Sequence, residues 1–92
     1  GAKQPIGRRF ARHFELPNAA GVRVESVEPG APAARAALQP GDVIVGLKGQ
    51  PVNGIDDLHR LLTADLIGVS VEIVLLRGAQ LLRRSIEPAE SV

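Results

Sequence analysis

Residues 21–44 read GVRVESVEPGAPAARAALQPGDVI, and this stretch decides how the rest of the chain is interpreted. In residues 21–28, Val22 and Val24 alternate with charged residues, which is the two-residue period of a half-buried strand. The alanine-rich residues 31–38 carry a proline at their second position, as the first turn of a helix allows. Pro-Gly pairs stand on either side of this segment. We therefore predict a strand and a short helix, each followed by a tight turn.

The segments outside this stretch predict further elements. Apolar residues at helical spacing predict a short amphipathic helix before it, and an Asn-Gly pair followed by two acidic residues predicts the start of another helix after it. Apolar runs broken by glycine predict a buried strand and a final hairpin. The predicted helices are residues 6–16 and 55–64, the predicted strands are residues 43–47, 70–77 and 80–87, and residues 51–52 are predicted to be briefly extended. This order predicts an α+β domain with a small sheet partly closed by two or three helices.

The charge and the aromatic content exclude one class of partner. The 92 residues are enough for one domain, and 11 basic and 10 acidic side chains leave a formal charge of +1. Such a balance does not produce the positive field that binds phosphates without sequence preference. Phe10 and Phe14 are the only aromatic residues besides the histidines, so no platform for stacking bases is available. We therefore predict no nucleic-acid partner.

Several kinds of chemistry are also excluded by the residues present. The chain has no cysteine, which excludes disulfides, thiolate metal sites and thiol catalysis. His13 and His59 do not form a metal-ligand pattern with the scattered acids, so we predict neither a metal nor a cofactor. The serines lack the glycine pattern of a nucleophile and a partner at triad spacing, so no catalytic residue is assigned. The longest uncharged apolar run, residues 73–76, is far below the roughly 20 residues of a membrane span.

From residue 21 to about residue 87, in matching order, the chain closely resembles the PDZ domains of bacterial HtrA-type (Deg-type) trypsin-like serine proteases. The resemblance runs through residues 21–44 and 47–52, the predicted helix 55–62 and the final hairpin. It implies a PDZ-like, small, partly open antiparallel β-sheet or barrel capped by two or three helices. One departure is Ala37, where the family usually has glycine; a left-handed backbone there would cost alanine roughly 1 kcal/mol. Asp42, in a Pro-Gly-Asp turn, is interpreted as an acceptor of backbone N–H groups and not as a catalytic acid.

The resemblance also implies where a ligand binds. In this family an extended peptide end adds as a strand to an open sheet edge, and a helix forms the opposite wall. Here that helix is residues 55–62, and its periodicity gives two stripes. We predict that Leu58, Leu61 and Asp65 face mainly the core, whereas Ile55, His59 and Leu62 form the peptide-binding face. For His59, a solvated surface histidine stays open as the alternative.

The limits of the domain follow from the same resemblance. We interpret residues 1–2 as a cloning remnant, residues 3–87 as a single PDZ-like domain and residues 88–92 as a tail. The family binds the peptide carboxylate with backbone N–H groups of a loop just before the groove strand. Residues 5–8 resemble that loop but run straight into the predicted helix. We therefore expect the loop and the groove strand to lie upstream of Lys3.

Two functions from different classes remain open. The first is a non-catalytic regulatory module that recognises C-termini or unfolded segments for a linked trypsin-like serine endopeptidase of protein quality control, in the periplasm or cell envelope. The second is an assembly domain that packs on the protease or on sister subunits, for which the basic face of Arg8, Arg9 and Arg12 is either a docking surface or simply solvated. The PDZ domain of an intramembrane metalloprotease or of a secretion component is a further alternative. We also consider self-association through an exposed strand edge or the C-terminal tail.

Overall fold

The computed structural model describes residues 3–89 and contains one antiparallel sheet with three short α-helices. The strands are β1 (Lys3–Pro5), β2 (Ala20–Arg23), β3 (Val43–Leu47), β4 (Gln50–Pro51), β5 (Val71–Arg77) and β6 (Gln80–Ile86). The helices are α1 (Arg8–His13), α2 (Pro32–Arg35) and α3 (Ile55–Leu61), and a 3-10 helix spans Ala64–Leu66. The predicted α+β class, a small antiparallel sheet with short helices, is confirmed.

The sheet order is β1-β2-β3-β5-β6, with β4 paired to β3 off this path. The register places Val22 opposite Ile44 and Ile44 opposite Leu75, so apolar residues of three strands meet on one face. The β5–β6 hairpin closes at Gly78, whose φ of 57° suits the first turn position at which type II′ turns place glycine. The predicted strands 43–47, 70–77 and 80–87 are thus found with changes of at most one residue at their ends.

The core lies between the sheet and the short helices. Leu47, Val52 and Leu75 are almost fully buried, and α2 leads into Ala36 and Leu38, which join the same cluster. Helix α1 has no buried residue, and Phe10 remains 37% exposed next to Phe14. Within residues 3–89, no helix is both long and apolar enough to span a membrane.

Two predicted helices are shorter than expected for local reasons. Helix α1 ends at His13 and the chain then reverses, with Glu15 at a φ of 54° and Leu16 N–H donating to Ala11 O over 2.7 Å. Helix α3 ends at Leu61 rather than near Ala64, because the backbone of Leu62 leaves the helical conformation with a ψ of 73°. Residues 64–66 then form the separate 3-10 turn, which buries Leu66 in the core.

Candidate functional site

The start of α3 is held in place by Asp57. Asn53 N–H donates to Asp57 Oδ2 over 2.9 Å, and Arg60 Nη2 donates to Asp57 Oδ1 over 3.0 Å. Both hydrogen bonds lower the pKa of the Asp57 carboxyl below its usual value, and the bond from Asn53 N–H has the larger effect. The Lys3 ammonium lowers the same pKa further. The positive charge of β1 therefore acts on the first turn of α3.

Helix α3 presents two different faces. Leu58 and Leu61 are half-buried and pack against the core cluster. Ile55 is 42% exposed and Leu62 is 40% exposed, and His59 is also exposed. The three residues predicted to bind peptide thus share the outward side of the helix. Asp65 was expected on the core stripe, but it is exposed and accepts a hydrogen bond from the Thr63 hydroxyl, because the helix ends before it.

An apolar cavity of about 280 Å³ opens beside the C-terminal half of α3. Leu58 and Leu62 form its helical wall, whereas Ile55 and His59 do not line it. Every lining residue is apolar; the others are Val24, Pro32, Ala33, Leu38, Ile44, Leu47, Ile73, Ile86, Pro88 and Ala89. The cavity therefore gives access to the core of the domain, and it suits an apolar side chain.

Pro88 lines this cavity and is bonded to the loop after α3. Its carbonyl accepts a hydrogen bond from Gly68 N–H over 2.9 Å. The segment that follows β6 therefore passes along the rim of the cavity. The predicted tail covers residues 88–92, of which residues 90–92 lie outside the described residues, as do residues 1–2, interpreted above as a cloning remnant.

Strand β1 forms one end of the sheet in the described part of the chain, and sequence reasoning did not predict it. It pairs Lys3 with Val22 and Pro5 with Ala20. On β2 the register runs from Ala20 opposite Pro5 to Val22 opposite Lys3, and Val24, two residues further along the chain, lines the apolar cavity. The cavity therefore lies beyond the Lys3 end of β1, not beyond its Pro5 end.

Hydrogen bonds between loops bring β1 and α3 to the same side of the molecule. Ala19 N–H, just before β2, donates to Asn53 Oδ1 over 3.1 Å, just before α3. Asn18 Nδ2 donates to Val45 O over 2.9 Å and to Val52 O over 2.7 Å. Asn18 is 4% exposed, so these bonds are shielded from water. They hold the start of β2, and with it β1, near the N-terminus of α3.

Residues 3–89 show no arrangement that suggests metal or covalent chemistry. The structure groups no three histidine or acidic side chains there closely enough to hold a metal ion. The hydroxyls of Ser70 and Ser85 hydrogen-bond to each other across the end of the β5–β6 pair. The candidate site therefore combines the free edge of β1, the exposed face of α3 and the apolar cavity beside α3.

Comparison with known proteins places this arrangement in a family. Residues 5–87 match the sequence model of a family that is described as "PDZ domain". The magnetosome formation protease MamE of Magnetospirillum gryphiswaldense is 35% identical over 85 residues, which are 92% of this chain and 11% of that protein. A probable periplasmic serine endoprotease, DegP-like, of Halomonas elongata is 34% identical over 77 residues, which are 84% of this chain and 16% of that protein.

Solved structures are similar as well. The HtrA-type protease AlgW with a decapeptide superposes with a TM-score of 0.73 at 26% identity, over 98% of this chain and 28% of that one. The HtrA3 PDZ domain bound to the phage-derived ligand FGRWV superposes with a TM-score of 0.68 at 26% identity, over 94% of this chain and 78% of that one. The chain thus spans only a small part of the curated relatives that it matches.

Proposed function

This chain belongs to the PDZ domain family, and on that premise we propose that it binds the C-terminus or an extended segment of another polypeptide. The peptide adds as a strand to the free edge of β1 and lies against the exposed face of α3. The observation that carries this proposal is the apolar cavity of about 280 Å³ beside the C-terminal half of α3. The domain itself performs no catalytic step.

The cavity supplies part of the binding energy in this proposal. Burial of one leucine or valine side chain contributes roughly 1.5–3 kcal/mol, and such a side chain fits a cavity of this size. Leu62 lines the cavity, whereas Ile55 and His59 lie on the neighbouring part of the exposed face. We assign Leu62 to the terminal side chain of the ligand, and Ile55 and His59 to residues before it.

The proposal includes a segment upstream of Lys3. Ile6 N–H already donates to Ala19 O over 2.9 Å, and Gly7, the residue after it, is the N-cap of α1. Ile6 N–H is therefore not available to bind a ligand carboxylate. We propose that the carboxylate-binding loop and the rest of the groove strand precede Lys3 and cover the open side of the cavity near Val24.

The proposed role in the whole protein is regulatory. Relatives that share this domain are named serine endoproteases, and several of them are named periplasmic. We infer that this domain is linked to a serine protease domain of the cell envelope. It recognises peptide ends or unfolded segments and delivers them to that protease, or activates it.

Peptide titration followed by amide NMR shifts tests the binding proposal. We expect saturable binding of peptides that end in valine or leucine with a free carboxylate, and weaker binding of the same peptides with an amidated end. Leu62→Asp is expected to lower the affinity at least tenfold, because it places a charge in the apolar wall. Ile67→Asp is the matched control, since Ile67 is 43% exposed and does not line the cavity. Equal effects of both variants, or no saturation, would contradict the proposal.

One observation favours a second function, assembly with the protease or with sister subunits. Helix α1 exposes Phe10 beside Arg8, Arg9 and Arg12, and the tilted rings of Phe10 and Phe14 lie 5.7 Å apart. Under this alternative, an added protease domain shifts the amides of α1 and leaves those of α3 unchanged. Self-association through the β1 edge would instead produce shifts at Lys3 that depend on protein concentration.

A further inference from the structure

The backbone groups of β1 divide into two sets. Hydrogen-bonded and non-hydrogen-bonded pairs alternate along an antiparallel ladder. Ile6 N–H donates to Ala19 O over 2.9 Å, so Ile6 and, two residues earlier, Gln4 face β2. Lys3 and Pro5 alternate with these two positions and lie opposite Val22 and Ala20. Their backbone groups therefore point to the free edge, where an added strand would bind.

Lys3 and Pro5 offer different groups at this edge. Lys3 has a backbone N–H and a carbonyl, which together can pair with one residue of an added strand. Pro5 has no N–H, and its carbonyl already accepts a hydrogen bond from Gln4 Nε2 over 3.3 Å. Arg23 Nη1 donates to Gln4 Oε1 over 3.5 Å, which holds the Gln4 amide in this orientation. Pro5 thus has no N–H to offer at the edge, and its carbonyl already has one donor in the Gln4 amide.

No later residue replaces Pro5 at the edge. Ile6 is bonded to Ala19, and Gly7 starts α1. Proline on an exposed edge strand is a common means of limiting unwanted strand pairing. The usable edge therefore ends after Lys3, whereas the cavity lies in the opposite direction along the sheet.

We propose that Pro5 ends the β-ladder between this domain and its peptide. This inference rests on the function proposed above. A peptide that adds antiparallel to β1, with its C-terminus towards the cavity, pairs one residue with Lys3. The residue two positions earlier lies opposite Pro5, where its carbonyl meets no N–H and its own N–H meets a carbonyl that is already bonded to Gln4. The ligand position opposite Pro5 therefore tolerates proline or an N-methylated residue, whereas the position opposite Lys3 does not.

An N-methyl scan of a binding peptide tests this inference on the wild-type chain. Cross-strand contacts between ligand amide protons and the Lys3 amide proton, observed by NMR, identify the ligand residue opposite Lys3. N-methylation of that residue is expected to weaken binding about tenfold or more, because it removes a hydrogen bond and adds bulk. N-methylation two residues earlier is expected to change the affinity by less than about twofold. Equal losses at both positions would overturn the inference.

The substitution Pro5→Ala provides an independent test, because it restores one N–H at the edge. Peptides that extend past Pro5 are expected to bind about threefold to tenfold more tightly to Pro5→Ala, and peptides that stop at Lys3 are expected to bind as before. Pro29→Ala, at an exposed proline in the loop before α2, is the matched control and should change neither. An equal gain for short and long peptides would refute the role of Pro5. If no peptide binds either protein, the function proposed above fails, and this inference fails with it.

Discussion

Arg77 binds Asp42 through both carboxylate oxygens, with Nε donating to Oδ1 and Nη2 to Oδ2, each over 2.9 Å. Asp42 is 1% exposed, and its Oδ2 also accepts from Gln39 N–H over 2.8 Å. Arg77 Nη2 donates in addition to Ala37 O over 3.0 Å. One ion pair thus joins the end of β5 to the turn before β3 and to the end of α2. The structural role predicted for Asp42 is confirmed.

Asp42→Ala is expected to destabilise the domain strongly. The substitution removes three hydrogen bonds to a buried carboxylate and leaves Gln39 N–H without its acceptor. We expect the free energy of unfolding in urea to fall by about 2–4 kcal/mol. Asp65→Ala is the matched control, since the Asp65 carboxylate is exposed, and its urea midpoint should stay near that of the wild type. A similar midpoint for both variants would show that the ion pair adds little.

Acid is expected to unfold the domain partly through the same carboxylate. The hydrogen bond from Arg77 is the main cause that lowers the pKa of Asp42, and it outweighs the opposing effect of burial. Between the folded and unfolded pKa values the unfolded chain binds more protons, so stability falls as the pH drops below about 5 towards the lowered pKa. In Asp42→Asn we expect a shallower decrease of the unfolding free energy over this window.

The acid response should not vanish in Asp42→Asn. The pKa of Asp57 is also lowered, first by Asn53 N–H, and that of Asp65 is lowered by the Thr63 hydroxyl. Urea unfolding at several pH values between about 3 and 6, a range around the unfolded pKa of aspartate, measures how the unfolding free energy depends on pH in the wild type and in Asp42→Asn. Identical slopes for Asp42→Asn and the wild type would contradict the assignment to Asp42.

Ala37→Gly is expected to stabilise the domain. Ala37 has a φ of 62° at the end of α2, a left-handed conformation that strains any residue with a Cβ atom. Glycine removes this strain, and the net gain in unfolding free energy should be about 1 kcal/mol. Thermal unfolding measures it. Ala34→Gly, inside α2, should have the opposite sign, with a loss of about 0.5–1 kcal/mol. A loss of stability in both variants would contradict the strain argument.

The elements with a local signal could be predicted from the sequence, whereas β1 could not. Strand β3 was predicted as residues 43–47 because an apolar run between two turns has few other interpretations. Strand β1 has three residues, one of them a proline, and it is extended only because β2 pairs with it. Its strand character comes from tertiary contact, which local periodicity does not contain.

The candidate site was predictable only in part for a similar reason. Helical spacing placed Ile55, His59 and Leu62 on one face of α3, which the structure exposes, and the assignment of this face to peptide stays a prediction. The cavity is lined by Leu62, by Val24 and by Ile86 with Pro88, which come from three segments that are far apart in sequence. No single segment carries a signal for such a cavity. Asp65 was misplaced because a helix end cannot be read from periodicity alone.

Gly21→Ala is expected to damage both the fold and the site, because Gly21 has no room for a side chain. A Cβ atom at Gly21 would lie 2.5 Å from Ile44 O and 2.7 Å from Val43 Cγ1, so β2 would have to move away from β3. We expect the unfolding free energy to fall by about 2–3 kcal/mol. Gly7→Ala is the matched control, since a Cβ atom there meets nothing within 4 Å.

The same substitution tests whether β2 positions the peptide edge. Gly21 pairs with Gln4 of β1, so a displaced β2 carries the Lys3 edge with it, while α3 keeps its own bonds to Asp57. The Gly21→Ala protein should be studied at low temperature, where it remains folded, and its peptide affinity should be at least about threefold lower than that of the wild type. The ligand-induced chemical-shift changes should differ most from those of the wild type at Lys3. Unchanged affinity together with the expected loss of stability would show that the peptide does not use the β1 edge.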